Sequence, residues 1–407
     1  MSKDIHIKLT IGIYKQGEMK TATDIHSSGQ YFTTNPSLQE TIYKFILNSP
    51  TTILEPSIGR GDLVEYVINK QPSILFDMYE IDNTLSIIDK VSKENIKYTD
   101  FLTANIDTPY KTIIGNPPFV KTSQGNLYID FTTKCYNLLE NNGELIFIVP
   151  TDFFKLTSSY KLLNTMLNNG TFTHIYHPNN EHLFENATID VLVFRYCKNK
   201  ELNNKVMYND TIKYLINTNG TITFSDNNIT NTMKCISEYF DIYVGMVTGK
   251  DSIFKNSELG NIDLLNGKNK IDRYILAHSF PTNNSTLDQY LLSNKTILMN
   301  RRIRKFNSTN WFEWGALRNF KNIQKNFGKE CIFINNLTRN KEVAFLDKVQ
   351  YFGGSLLMMI PKTTIDLKKM VNHLNSLSFK QNYMYSGRFK IGHRQLSNSL
   401  VEISHIS

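Results

Sequence analysis

The chain has 407 residues, 41% of them hydrophobic and 20% charged, with a formal net charge of +8. That length suits two domains, each with its own core. No apolar run approaches the roughly 18 residues that a membrane span needs, and Met1-Ser2-Lys3-Asp4-Ile5-His6 lacks the charged-then-apolar pattern of a signal peptide.

Residues 51–55 read as a short apolar strand ending on an acid, Glu55. Pro56-Ser57-Ile58-Gly59-Arg60-Gly61 follows, and Asp62 to Ile68 then has helical spacing. A strand, a Gly-containing turn and a helix start form the nucleotide-binding element of a doubly wound sheet, where glycines let the backbone approach a ligand. The next strand is expected over 74–82. It ends on Glu80-Ile81-Asp82, with Glu80 the first candidate for ribose hydroxyls and Asp82 the second. A third strand, 96–102, carries Asp100 and Phe101, and a fourth, 111–115, runs into Asn116-Pro117-Pro118-Phe119. Helices over 126–140 and 156–167 alternate with strands over 143–150 and 189–196. The alternation predicts an α/β doubly wound, mostly parallel sheet covered on both faces, whose candidate ligand groups converge at the strands' carboxyl ends.

Asn116-Pro117-Pro118-Phe119 resembles the catalytic loop of amino-methyltransferases, which move a methyl group from S-adenosylmethionine to a planar, conjugated nitrogen. The residue types suit that chemistry. The Asn116 side-chain oxygen and the Pro117 carbonyl can accept from the two N–H groups of a delocalised amine and draw it toward a tetrahedral shape. Pro117 and Pro118 stiffen the loop, and Phe119 offers a face for stacking.

The motifs over residues 29–198, in their order, resemble gamma-arranged DNA adenine-N6 methyltransferases of type II restriction-modification systems. The resemblance implies S-adenosylmethionine as cofactor and double-stranded DNA as substrate. Gly29-Gln30-Tyr31-Phe32-Thr33 is similar to the family's N-terminal motif, with Thr33 at the methionine end of the cofactor. Glu55, Pro56, Ser57, Gly59 and Gly61 match its main cofactor loop, Glu80 and Ile81 the ribose site, and Asp100 and Phe101 the adenine pocket. Asn116, Pro117, Pro118 and Phe119 match the catalytic loop, and Phe184 falls where the family places an aromatic beside a flipped base. The resemblance also implies a closing antiparallel strand at 189–196. The family often has Thr-Pro where this chain has Thr33-Thr34, and Tyr where it has Phe119.

Charge divides the chain. Residues 1–240 hold 21 Lys and Arg against 25 Asp and Glu, while residues 241–407 hold 24 against 12. The expected domains are a catalytic one at 1–238 and a mixed α/β target-recognition (DNA-binding) one at 239–407, with strands and a linker over 199–235. A basic half suits a polyanion. Its candidate DNA contacts are Arg301, Arg302, Arg304, Lys305, Arg318, Arg339, Arg388, Lys390 and Arg394, and Trp311 and Trp314 near the first cluster suit a stacking or wedge contact.

The expectation is a site-specific adenine-N6 methyltransferase of the cytoplasm that needs no metal and no membrane and acts as a monomer, with any cognate endonuclease encoded separately. The widely spaced Cys135, Cys197, Cys235 and Cys331 read as reduced core thiols. Two alternatives are an RNA or protein amino-methyltransferase with the same loop, and a non-catalytic DNA specificity subunit. The basic extension argues against the first, and intact Glu55, Asp100 and Asn116 against the second.

Overall fold

The computed structural model describes residues 31–123, 125–185, 187–402 and 404, so Gly29 and Gln30 of the first motif lie outside the described residues. The chain divides into two compact units, residues 1–153 with 157–212, and residues 154–156 with 213–407.

In the first unit, helix α1 (Pro36–Phe45) opens with Asn35 as its cap. The Asn35 side chain accepts from the Ser37 and Leu38 amides, and Pro36 supplies a pre-set φ at the first helical position. Strand β1 (Thr52–Glu55), helix α2 (Asp62–Lys70), and strands β2 (Leu75–Glu80), β3 (Ile96–Tyr98) and β4 (Tyr110–Gly115) follow. Helix α3 (Leu127–Leu138), strand β5 (Leu139–Pro150), helix α4 (Tyr160–Asn168), and strands β6 (Gly170–Tyr176), β7 (Val191–Lys198) and β8 (Lys205–Tyr208) complete it.

The strand order is β8-β6-β7-β5-β4-β1-β2-β3. Strands β3, β2, β1, β4 and β5 pair in parallel, and β7 enters antiparallel between β5 and β6. This is the mostly parallel doubly wound sheet expected, with its reversed strand. The central strands are buried on both faces, which is why they read as continuous apolar runs. On one face Leu38 and Ile42 of α1 and Leu63 and Val67 of α2 pack with Ile53, Ile114, Ile146 and Val193. On the other, Tyr196 meets Tyr136 of α3 and donates to the Met166 carbonyl of α4.

One charge pair sits inside this sheet. Glu144 is wholly buried and accepts from Arg195 Nε at 2.8 Å, Thr112 Oγ1 at 2.9 Å and the Asn48 amide at 3.1 Å. A buried carboxylate needs such partners to stay charged. Here they also pin the chain entering β1 to the middle of the sheet.

Apart from residues 154–156, the second unit runs from residue 213 to 407 and so includes the stretch before 239 from 213 on. The Asn-rich stretch read as strands and linker contains a hairpin, Thr211–Thr218 with Thr221–Ser225, turned at Asn219-Gly220 where both φ are positive. From residue 213 on it is bound by the C-terminal part of its own unit. The Phe224 amide donates to Asn382 Oδ1 at 2.8 Å, and Asn398 Nδ2 donates to Thr221 Oγ1 at 3.2 Å. Sequence polarity hid this because the bonds come from residues more than 150 positions away. The rest of the unit is built on an antiparallel sheet of Phe240–Val244, Leu356–Pro361, Glu330–Asn335 and Ala344–Lys348.

Among the described residues no helix is long and apolar enough to cross a membrane.

Candidate functional site

A cavity of about 280 Å³ opens at the carboxyl ends of the parallel strands, at the point between β1 and β4 where the strand order reverses. Of the residues singled out from sequence, Thr33, Glu55, Pro56, Ser57, Gly59, Glu80, Ile81, Asp100, Phe101, Asn116 and Pro118 line it. Gly61, Pro117, Phe119 and Phe184 do not. Tyr31, Phe32, Leu127 and Phe131 also line it and were not singled out as cavity walls. Their signal was weak, because an aromatic or a leucine in a loop or on an amphipathic helix reads equally well as core.

Glu55 ends β1 with its carboxylate 2% exposed. The Ser57 amide donates to Oε1 at 3.0 Å, and burial pushes the carboxyl up to about 8. Gly115, at the end of β4, makes room for it: a Cβ there would lie 2.9 Å from Glu55 Oε1. Gly59 and Gly61 both hold positive φ. Gly59 walls the cavity, whereas Gly61 caps α2 against Val91, so its role is in the turn rather than in ligand contact.

Glu80 ends β2. Its Oε2 accepts from the Gly59 amide at 2.9 Å, and Oε1 from the Ile81 and Asp82 amides at 3.0 and 2.9 Å. Burial still raises its carboxyl above the ordinary range. Asp82, the second candidate, does not line the cavity and instead caps its own turn, accepting from the Thr84 amide at 3.0 Å. The Ile81 side chain lies at the cavity and is 65% exposed, an apolar surface of the kind a planar ring covers.

Strand β3 stops at Tyr98, so Asp100 and Phe101 sit in the turn after it rather than on it. Asp100 accepts from the Leu102 amide at 2.9 Å. Phe101 is 2% exposed, stacked on Phe131 at 5.4 Å and set edge-on to Tyr79 at 5.3 Å. Lys134 of α3 holds this turn from behind. Its Nζ donates to the carbonyls of Phe101, Leu102 and Ala104, and lies 4.9 Å from the centre of the Phe101 ring.

Asn116 follows β4. Its Nδ2 donates to the Tyr31 carbonyl at 2.6 Å and to Thr33 Oγ1 at 3.2 Å. Its Oδ1 is buried and has no hydrogen-bond partner among the described residues. Thr33 is thus tied to Asn116 as well as lining the cavity. Beside it, Tyr31 lies 5.6 Å from Phe119 and 5.7 Å from Phe184, and Phe119 meets Tyr128 edge-on at 6.0 Å. Phe119 is half-buried. Phe184 is 5% exposed within the core of Leu183, Ala187 and Val191, so it backs Phe119 and Tyr31 and offers no open face of its own.

In the second unit the basic residues separate by burial. Arg301 is 7% exposed and donates to the carbonyls of Leu298, Thr248, Trp311 and Glu313 at 2.6–2.9 Å. Its guanidinium ties together the chain at 248, 298 and 311–313 and is not a surface contact, and burial lowers it to about 10. Trp311 and Trp314 are each 2% exposed, and Trp314 Nε1 donates to the Ile275 carbonyl at 2.7 Å. They form a core and offer no wedge. Arg394 is half-buried and donates to the carbonyls of Asn219 at 2.9 Å and Lys155 at 3.3 Å, bracing the unit's own hairpin. Arg302, Arg304, Lys305, Arg318, Arg339 and Lys390 are exposed, and Arg388 is half-exposed. Arg339, Arg388 and Lys390 come together where Leu337–Thr338 pairs with Arg388–Lys390.

The cavity fits S-adenosylmethionine, the cofactor that this fold class implies. Two carboxyls pushed up by burial, Glu55 and Glu80, gain from a positive ligand. Gly59 lines the cavity without a side chain, and Ile81, Phe101 and Phe131 supply apolar walls.

The model of the Eco57I restriction-modification methylase family matches residues 61–184. The chain is 30% identical over 200 residues to the type II methyltransferase M.HincII of Haemophilus influenzae, a match that covers 44% of this chain and 39% of that protein. It is 31% identical over 156 residues to the modification methylase CviBIII of Paramecium bursaria Chlorella virus NC1A, covering 32% of this chain and 41% of that protein. The chain therefore resembles type II restriction-modification methylases, and its match spans about two fifths of the length of these curated relatives. In fold it is similar to the type IIL restriction-modification enzyme MmeI, solved in complex with DNA, with a TM-score of 0.54 and 12% identity over 90% of this chain and 64% of that one.

Proposed function

We propose that this chain is a site-specific DNA methyltransferase that moves the methyl group of S-adenosylmethionine to N6 of an adenine in double-stranded DNA. One observation carries the reading. Asn116 Oδ1 is a buried acceptor without a partner among the described residues, and the two bonds of Nδ2 hold it in that orientation. The cost of a buried unsatisfied acceptor is recovered when a ligand N–H meets it. Relatives named as type II methyltransferases make DNA the favoured substrate, and the 24 Lys and Arg against 12 Asp and Glu of residues 241–407 suit a polyanion.

When bound, S-adenosylmethionine supplies an electrophilic methyl group on a sulfonium centre. Glu55 receives the cationic amino-acid end, Glu80 the ribose hydroxyls and Asp100 the adenine amino group, while Ile81 and Phe131 flank the ring. The target base leaves the duplex to be reached. Asn116 Oδ1 and the Pro117 carbonyl accept from its two amino hydrogens and draw the nitrogen lone pair out of conjugation, in time with the positive charge that develops there. Phe119 gives the base a stacking face. The methylated nitrogen is strongly acidic, so its proton leaves to water without a general base. Exposed cations of the second unit hold the phosphates.

The test is incubation with S-adenosylmethionine and unmethylated plasmid, followed by modification-sensitive long-read sequencing. N6-methyladenine at one short motif is the expected result. Methyl transfer to RNA or protein, with none to DNA, overturns the reading.

A further inference from the structure

The DNA-methylation reading leaves open which of the exposed cations reads a base, and the segment 301–305 separates them. Arg301 is spent on buried carbonyls. Arg302 and Lys305 are exposed, with no bonded partner among the described residues. Arg304 differs from all three. Its NH2 group donates to Glu313 Oε2 at 2.6 Å and to the Trp314 carbonyl at 3.0 Å, and its Cζ lies 4.7 Å from the centre of the Phe306 ring. The pair remains open to solvent, with side chains 36% and 44% exposed, on the rim of a cavity that His278, Gly315 and Leu317 help to line.

This arrangement is poor for a phosphate and good for a base edge. An abutting carboxylate cancels the charge that a phosphate would seek and repels the phosphate itself. The same carboxylate occupies one end of the guanidinium and fixes its plane, and the Phe306 ring covers part of it. Three of the five N–H groups, on Nε and NH1, remain for a ligand. Much of the side-chain freedom that an exposed arginine would lose on binding has already been given up in folding. Held this way, Arg304 offers a planar pair of donors, and Glu313 Oε1 beside it offers an acceptor. In the major groove a G·C pair presents the complement, with acceptors at guanine O6 and N7 and a donor at cytosine N4. An adenine in place of the guanine would set its N6 donor against a donor. The support for Arg304 also sits on the buried Arg301 framework, since Arg301 NH2 donates to the Glu313 carbonyl at 2.9 Å.

We propose that Arg304, oriented by Glu313, reads a guanine of the recognition sequence in the major groove, while Arg302, Lys305 and Arg318 contact phosphates. The inference rests on the DNA-methyltransferase reading. Wild type, Arg304→Ala, Arg304→Lys, Glu313→Gln and Arg302→Ala are each incubated with the same plasmid library and S-adenosylmethionine, and methylated sites are read by long-read sequencing at two salt concentrations. The wild-type motif is expected to contain at least one G·C pair. In Arg304→Ala, discrimination at one G·C position is expected to fall by roughly 10- to 100-fold while the other positions hold. Arg302→Ala is expected to keep the motif, methylate more slowly and depend less steeply on salt. If Arg304→Ala methylates nothing, Arg304→Lys and Glu313→Gln decide: loss of discrimination at one shared position supports the proposal, and full discrimination in both overturns it. A wild-type motif with no G·C pair, or an Arg304→Ala variant that discriminates as wild type does, overturns it and leaves the methyltransferase reading standing. A wild-type protein that methylates no DNA removes both.

Discussion

Asn116 Nδ2 donates to the Tyr31 carbonyl at 2.6 Å, and this bond, across 85 residues of sequence, sets which way the amide of the loop after β4 faces. Asn116→Ala removes the buried acceptor that we propose meets the target amine. Turnover should fall by on the order of a hundredfold or more, the loss seen when one charge-stabilising acceptor or donor is removed elsewhere. Cofactor affinity, measured by calorimetry on the same preparation, should change little. Near-normal turnover would show that the acceptor role belongs to another group.

Glu55 makes the cavity sensitive to pH. Its ordinary value is 4.5, and in the folded chain burial pushes it up to about 8. Between those values the unfolded chain has lost a proton that the folded chain keeps, so Glu55 lowers stability as pH rises from about 4.5 to about 8. Affinity for a cationic ligand runs the other way, rising with pH over the same window as the carboxylate forms. Calorimetric titration with S-adenosylmethionine in buffers of different ionisation enthalpy should show proton release below about pH 8. Glu55→Gln should reduce that release, leaving only what Glu80 contributes, and a signal unchanged in this variant would place the titrating group elsewhere.

Gly115 should not tolerate a side chain. An added Cβ would stand 2.9 Å from Glu55 Oε1 and 3.2 Å from the Phe147 ring, between groups that are themselves buried. Gly115→Ala should cost about 1–3 kcal/mol, as overpacking of a filled core does. A thermal melt indistinguishable from wild type would mean that the Glu55 carboxylate moves aside freely.

Lys134 should act on the cofactor through the turn it holds. Lys134→Met keeps the length of the side chain and removes three bonds to the carbonyls of residues 101, 102 and 104. Asp100 and Phe101 then lose their backing, and the Kd for S-adenosylmethionine should rise by roughly tenfold, the equivalent of about 1.4 kcal/mol. An unchanged Kd would make Lys134 structural only.

Arg301 and Arg302 are neighbours with opposite expectations. Arg301→Ala leaves four buried carbonyls without their donors. It should cost on the order of 3 kcal/mol or more, at about 1–3 kcal/mol for each buried group left unsatisfied. Arg302→Ala, on an exposed side chain, should change stability by less than about 0.5 kcal/mol. Chemical denaturation of the two variants separates these roles, and equal stabilities would refute the assignment of Arg301 to the core.

Most elements of the first unit were legible along the chain because they are written in local patterns, whereas helix α1 and strand β6 were not expected from it. Apolar runs such as Thr112-Ile113-Ile114 can be buried on both faces only within a covered parallel sheet, and the residue after such a strand lies at the ligand end by geometry. For that reason Glu55, Glu80, Asp100 and Asn116 could be named without coordinates, and all four line one cavity. The strand expected over 189–196 is β7, and it is the reversed strand that the resemblance implied.

What the sequence determined by itself was therefore where along the chain most of the strands lie and which side chains stand at their ends. Tertiary structure alone decided which of two similar side chains does which job. Glu80 lines the cavity and Asp82 caps a turn, although they stand only two residues apart. Phe119 stays partly open and Phe184 is enclosed. Among four cations in five residues, Arg301 is buried, Arg304 is paired with Glu313, and Arg302 and Lys305 are exposed. The physical reason is common to all three cases. Residue type and spacing state what a side chain can bond, but burial and partners come from other stretches of chain such as 248 and 311–314, and these determine whether its groups are consumed in folding or left for a ligand.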